Sequence, residues 1–378
     1  MFFEKKETFH DRIKFILLQK IKIISKLKIF YDEKTGVLPH SALIEPQAVL
    51  PYSALIEPKA VLDLSNLCLK ILPEIPDTVE SLYCFGNYLT SLPENLPDSI
   101  KRIDCSQNLL TYLPNKLPNS LIELKCGRNN LRSLPETLPD TLTRLVCNYN
   151  KLTFLPKKLP EHIKDICCEH NYISSLPEIF PDSIVELNCD CNKLKYLPNL
   201  PKNIYFLHCN NNKLESLPKL PENLIELYCN NNRLESLPKL PKNLNKLICN
   251  NNYIKSLPAL PKKLAELSCE YNEIQYLPME LPVNLAYFNC KSNKISLLPE
   301  NMPLNLTYLN YDNNNLPKKE KDETMAEYLI RINEIVREEL KTRIIERCQI
   351  YSEELLMVAL HPDRVKKWLN KGFMLDGM

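Results

Sequence analysis

The chain has 378 residues, of which 30 are proline and only 5 glycine, with 48 Lys and Arg against 46 Asp and Glu. Such a balance excludes a global attraction for nucleic acid or an anionic membrane, so any recognition must be local. No run of about 18 apolar residues occurs, and Met1-Phe2-Phe3-Glu4-Lys5-Lys6 leads into lysine-interleaved residues and not a signal-peptide core, so a soluble, intracellular, cytoplasmic protein is expected.

Residues 9–30 carry Phe9, Ile13, Ile16, Leu17, Ile24, Leu27 and Phe30 at helical spacing with lysines between them. This reads as a basic amphipathic helix, which can lie on a membrane or cover the open end of whatever follows; covering is preferred. A tandem copy comes next: Val37 to Ala48 and Val49 to Ala60 differ only at His40/Tyr52 and Gln47/Lys59. Residues 1–61 thus form a helical N-terminal cap and a duplicated linker.

From residue 62 to 317 the chain is periodic. Asparagines recur from Asn87 to Asn314 at steps of 20 or 21, the mark of a solenoid. Three residues before each asparagine stands a cysteine, Cys84 through Cys290 in eleven units, and Tyr311 in the last. Two residues earlier again stands Leu, Ile or Phe, from Leu82 through Phe288 to Leu309. The unit reads LxxLxCxxNxLxxLP, followed by LP. Leucine and cysteine two apart point inward from a short strand, and the residues between point out. The asparagine is expected inward as well, bonding the backbone of neighbouring turns. Prolines give the returning side an extended backbone. Where a unit's two prolines are four apart, as in Pro93 and Pro97, the step is 21; where they are three apart, as in Pro198 and Pro201, it is 20. The slack therefore lies on the returning side. The first unit has Leu67 where asparagine would stand.

Eleven of the 15 cysteines hold one inward position and read as buried apolar thiols. Rungs about 4.8 Å apart with parallel Cβ vectors do not suit disulfides, and a single file of thiols does not converge on zinc. Cys167 and Cys191 are extra, expected on or near the outward side of neighbouring strands. No cofactor or metal is expected.

After Pro317 helix-forming composition takes over, with Met325, Leu329, Ile332, Val336, Leu340 and Ile344 on one face. Further helices are expected over 353–360 and 364–370, so that 318–378 closes the far end as a helical C-terminal cap. His361-Pro362-Asp363 matches the tripeptide of J-domain co-chaperones, but acidic residues precede it and only a short tail follows.

Residues 62–317 resemble the leucine-rich-repeat family, in its shortest, 20–21-residue LPxLP class, across about thirteen units. The layout is similar to that of enterobacterial effectors and of repeat proteins of giant DNA viruses (mimivirus-like). Residues 359–369 also look like a tail found on giant-virus proteins. The resemblance implies an α/β repeat solenoid, an arc with a parallel β-sheet on its concave face, an extended convex side and helical caps at both ends. It implies ligands bound on the concave face and, for a viral protein, action in the host cytoplasm. Similar enterobacterial effectors often end in a ubiquitin-ligase domain, whose nucleophile is a cysteine two residues before an aspartate. Here Cys348 is followed by Gln349 and Ile350, which removes that inference.

Function is therefore expected to be non-catalytic: a protein–protein interaction scaffold with a protein partner and no nucleic acid. The alternative is the substrate-recruiting part of a ubiquitin-ligase-type or other enzyme assembly, catalysis coming from another chain. The expected contact residues are Phe206, His208, Glu226, Tyr228, Lys246, Ile248 and Tyr287, an aromatic and apolar stretch on the concave side flanked by charge.

Overall fold

In the computed structural model the described residues are 56–57, 60–278, 280–299 and 301–359, of which 56, 57, 336, 337, 339, 340 and 352–359 are described as backbone only. The helix expected over 9–30, the first of the two tandem copies and the helix expected over 364–370 lie outside them.

Thirteen parallel three-residue strands form one sheet in sequence order, preceded by a short antiparallel strand. That edge strand, β1 (Ile56–Glu57), comes from the second tandem copy and pairs Ile56 with Leu62 and Glu57 with Val61 of β2 (Val61–Asp63). The strands continue through β3 (Ser81–Tyr83), β4 (Arg102–Asp104), β5 (Glu123–Lys125), β6 (Arg144–Val146), β7 (Asp165–Cys167), β8 (Glu186–Asn188) and β9 (Phe206–His208). They end with β10 (Glu226–Tyr228), β11 (Lys246–Ile248), β12 (Glu266–Ser268), β13 (Tyr287–Asn289) and β14 (Tyr308–Asn310). The pairing never slips: Leu62 faces Leu82, Leu207 faces Leu227, and Phe288 faces Leu309. Three residues cannot hold a strand alone, so each turn depends on the apolar face of its neighbours.

The inward positions are as expected. The central strand residue and the cysteine two beyond it are buried in every unit from Leu82/Cys84 to Phe288/Cys290. Cysteine fits this row for a second reason: the Cys189 and Cys209 thiols sit 3.2 and 3.3 Å from the carbonyl oxygens of His208 and Tyr228 on the next strand. A leucine there could offer no such donor.

The asparagines reach backwards. Asn150 donates through Nδ2 to the Cys126 and Cys147 carbonyls, at 3.0 and 3.1 Å, and its Oδ1 accepts the Leu131 amide at 2.9 Å. Each asparagine thus closes backbone groups of the preceding turn as well as its own. In the first unit, where Leu67 stands in place of the asparagine, Asn87 of the next turn accepts the Leu67 and Leu69 amides.

The corner after each strand carries a feature that the repeat spacing did not announce. The residue just before each asparagine is left-handed, with φ of 54° at Arg128, 52° at Tyr149 and 51° at His170, and 67° at Gly86. Side chains other than glycine pay about 1–2 kcal/mol for this conformation. It turns the chain sharply enough to bring the asparagine inside, where several hydrogen bonds offset the cost. On the returning side, the second proline of each pair accepts an amide three residues on, as Leu244 donates to Pro241 at 3.1 Å.

The tail departs from expectation. One helix, α1 (Met325–Ala359), replaces the two expected over this stretch, because neither glycine nor proline interrupts it. Thr324 and Glu327 form a capping box: the Glu327 amide donates to Thr324 Oγ1 at 3.2 Å, and the Thr324 amide donates to Glu327 Oε2 at 2.8 Å. Tyr328 stacks on Tyr311 at 5.8 Å and donates to the Pro317 carbonyl at 2.7 Å, while Arg331 grips Glu323 at 2.7 and 2.9 Å. Tyr328, Leu329 and Ile332 are buried, but Ile344, expected on the same packed face, is 59% exposed. At about 1.5 Å per residue the helix soon outruns the last repeat it rests on.

Candidate functional site

On each strand the first and third side chains point to the open face of the sheet, so equivalent positions of successive units form rows about 4.8 Å apart. In the first row Phe206, Glu226 and Lys246 stand side by side; in the third, His208, Tyr228 and Ile248 do. Six of the seven expected contact residues are thus brought together on β9, β10 and β11.

Their mutual contacts are specific. His208 stacks on Tyr228 with centroids 4.4 Å apart and planes 12° from parallel. The Tyr228 hydroxyl donates to Glu226 Oε2 at 2.8 Å, and Lys246 Nζ lies 5.4 Å from the Tyr228 ring centre and 2.8 Å from Glu266 Oε2. Partial burial, then the Glu226 carboxylate, raise the Tyr228 pKa; the bond to Glu266 raises that of Lys246. The cluster is a braced platform in which each side chain holds its neighbour's rotamer.

Two of the expected residues sit differently. Ile248 is 9% exposed, sunk between its neighbours, so it supports the platform and offers little contact area. Tyr287 is two strands beyond Lys246 and stacks instead on Tyr308 of β14, 4.4 Å away and 4° from parallel. Tyr308 was missed although it occupies the same repeat position as Tyr287; that shared position was the available signal. A third stack, Arg128 over Tyr149 at 4.2 Å and Tyr149 on His170 at 4.1 Å, lies on the left-handed corners.

Beyond the strands, outward polar residues are occupied with one another. Asp190 accepts from both the amide and Nδ2 of Asn210, and the Oδ1 atoms of Asn210 and Asn230 accept the amides of Asn230 and Asn250, each at 2.7 Å. Burial raises the Asp190 pKa, opposed by Asn210. These amides brace successive turns, so fewer polar groups are left unengaged than the outward positions of the sequence suggest.

All 15 cysteines are free. Cys167 lies on the open face of β7, and burial, with Glu169 adding to it, pushes its thiol up to about 11; Cys191 sits on a left-handed corner and is also raised. Raised thiols are poor nucleophiles at neutral pH. Among the described residues no group of three or more His, Cys, Asp or Glu is placed to hold a metal ion, and no helix is long and apolar enough to cross a membrane. Alkylation of the native chain should modify at most Cys68, Cys167, Cys191 and Cys348, leaving the other eleven until the fold opens. Mass spectrometry of the labelled chain checks this; rapid native labelling of Cys147 or Cys209 would contradict it.

No family model matches the chain, and no curated protein matches it. Solved structures do. YopM, a leucine-rich effector protein from Yersinia pestis, is 30% identical, with 71% of this chain and 86% of that one covered and a TM-score of 0.55. The leucine-rich repeat domain of APL1B (19% identity, 76% and 95% covered, TM-score 0.57) shares the fold. So does the chain matched in an octameric complex of latrophilin 3, Unc5D and the leucine-rich repeats of FLRT2 (20% identity, 66% and 90% covered, TM-score 0.56). With the repeat register, the inward Leu, Cys and Asn rows and the YopM likeness in hand, the chain belongs to the leucine-rich-repeat family.

Proposed function

We propose that the chain is a non-catalytic scaffold that binds a protein partner on the open face of its sheet. The observation that carries this reading is the His208–Tyr228 stack with Phe206, Glu226 and Lys246 around it. Rigid aromatic rings bracketed by charge are the composition of interface hot spots. Ile248 packs beside Tyr228 in the same row, and the Tyr287–Tyr308 stack offers a second anchor on the same face. The likeness to an effector and to a repeat domain found in a multi-protein complex supports a binding role. The 20–21-residue step supports membership of the short class shared with effectors and giant-virus proteins, and with it a cytoplasmic site of action.

The double variant H208A/Y228A should lose partner capture by about tenfold or more, since hot-spot truncations cost about 2 kcal/mol or above. Its melting temperature should fall only slightly, an aromatic stack being worth about 1 kcal/mol. The measurement is capture from source-cell lysate on immobilised chain, with captured proteins identified by mass spectrometry. A photo-crosslinking residue placed at His208 should label the same protein, whereas one at Lys219 on the proline side should not. Undiminished capture by the double variant sinks this reading.

A further inference from the structure

Between the open face and the proline side, the residues around each inward asparagine form a flank. The residue before the asparagine and the first, third and fourth after it are exposed or half-buried there. The amide of the first residue after the asparagine donates to the preceding turn, as Lys151 does to Leu131 and Lys193 to Ile173, both at 2.8 Å. Equivalent positions are therefore held in rows along the solenoid. Over five consecutive turns this first row reads Lys151, Tyr172, Lys193, Lys213 and Arg233, all exposed and none acidic. Arg128, Arg132 and Lys195 stand beside it, also exposed.

Among the described residues none of these seven cations has an ion-pair partner. At the same positions of the six turns from Asn129 to Asn232 stand two carboxylates, Glu215 and Glu235, and Glu235 is paired with Lys255 of the next turn. The turns of Asn87 and Asn108 carry no charge at these positions, so the basic strip is local. Rings are interleaved with it. Lys193 Nζ sits 4.6 Å from the centre of the Tyr172 ring, and the stack of Arg128, Tyr149 and His170 runs alongside. Phe154 and Tyr196 are 53% and 59% exposed, with no ring or cation against them among the described residues. On the strand side Glu169 accepts from the side-chain amides of Asn148 and Asn188, and Asp190 from that of Asn210; on the proline side lie Glu136 and Glu178. These carboxylates border the strip and confine its positive potential to a narrow line.

We propose that this flank binds single-stranded nucleic acid, its phosphates along the row from Lys151 to Arg233 and its bases against Phe154, Tyr196 and the neighbouring rings. Cations that track a backbone beside aromatic faces for stacking are the two parts of such a site, and they need no base-edge readout. An acidic protein segment would use the cations and leave the rings idle. A duplex hides its bases from the rings, and a membrane plane would also press on Glu136, Glu178 and Glu215. Nucleic acid is not expected on the open face, where Glu123 and Glu266 already engage the nearby cations; the flank differs because its cations are unpaired. The site is separate from the His208–Tyr228 platform, so both faces can be occupied at once.

The test is fluorescence anisotropy of the full chain with labelled oligo(dT) and oligo(U) of about twelve nucleotides. Affinity should fall with salt at a log–log slope of about −3, as expected when the four cations of the row each neutralise one phosphate of a single strand. The triple variant K151E/K193E/K213E should bind at least about tenfold more weakly and with a shallower slope. F154A/Y196A should also lose about tenfold, with the slope unchanged, because it removes stacking and no charge. K219E/K239E/K262E carries the same charge change on the proline side and should bind within about threefold of wild type. Circular dichroism confirms that these surface variants are folded. Four results overturn the proposal: no binding by the wild type at low salt, an equal loss from the proline-side reversal, indifference to F154A/Y196A, or competition by a poly-glutamate peptide or phosphatidylserine vesicles as effective as that of unlabelled oligonucleotide at matched charge.

Discussion

Raising the pH from 8 to about 11 should unfold the array, with almost no change between pH 6 and 8. An unfolded thiol loses its proton near 9.0, whereas burial pushes Cys84, Cys126, Cys249 and Cys290 up to about 12. Their pKa values are raised on folding, so the stability they contribute is fully present below 9 and is lost as pH rises toward the folded value. Each pH unit above 9 removes about 1.4 kcal/mol per thiol. Four such thiols together lose over about 5 kcal/mol per unit, on the scale of the about 5–15 kcal/mol that holds an ordinary domain folded. The remaining inward thiols, all raised by the same burial, steepen the loss. Urea midpoints measured by circular dichroism at successive pH values give the slope directly. The double variant C126A/C249A should be less stable at pH 7, because it leaves small cavities, yet show a slope shallower by about two protons. A midpoint that stays level to pH 10 would falsify the assignment of these thiols to the core.

The second large effect is expected at the asparagine row. Asn150→Ala removes the acceptor of the Leu131 amide and one of two asparagine donors to each of the Cys126 and Cys147 carbonyls, which keep Asn129 and Asn171. The buried Leu131 amide left unsatisfied costs about 1–3 kcal/mol and the two lost bonds to the carbonyls about 1 kcal/mol each, so a loss of about 3–5 kcal/mol is expected. The Leu131 amide should also exchange its hydrogen much faster, because the break lies in the turn before the substituted residue. Exchange followed by mass spectrometry locates it; a loss confined to the turn of residue 150 would contradict the backward reach of the side chain.

Much of this architecture is legible in the residues because a solenoid is coupled chiefly between nearest neighbours. Once Leu82, Cys84 and Asn87 recur at fixed spacing, their inward placement follows for every unit, and the shared strand register follows with it. The prolines placed the 20-to-21 slack on the returning side, and the strands indeed never slip. The candidate face was legible only in outline. A period assigns Phe206, His208, Tyr228 and Ile248 to the open side, but how deeply Ile248 sinks depends on the volumes beside it. It does not say that His208 and Tyr228 lie flat on each other, or that Tyr287 turns to Tyr308.

The rows of equivalent residues, their inward or outward sense and the apolar character of the thiols were thus determined by the sequence itself, since period and alternation are local properties of a chain. Only the tertiary structure decided the left-handed corners that carry Tyr149 and His170, the amide bonds that occupy Asn210 and Asn230, and the single helix whose packing ends soon after Ile332. Each of these depends on which atoms from other turns come within hydrogen-bonding or van der Waals reach, and spacing along one chain does not contain that information.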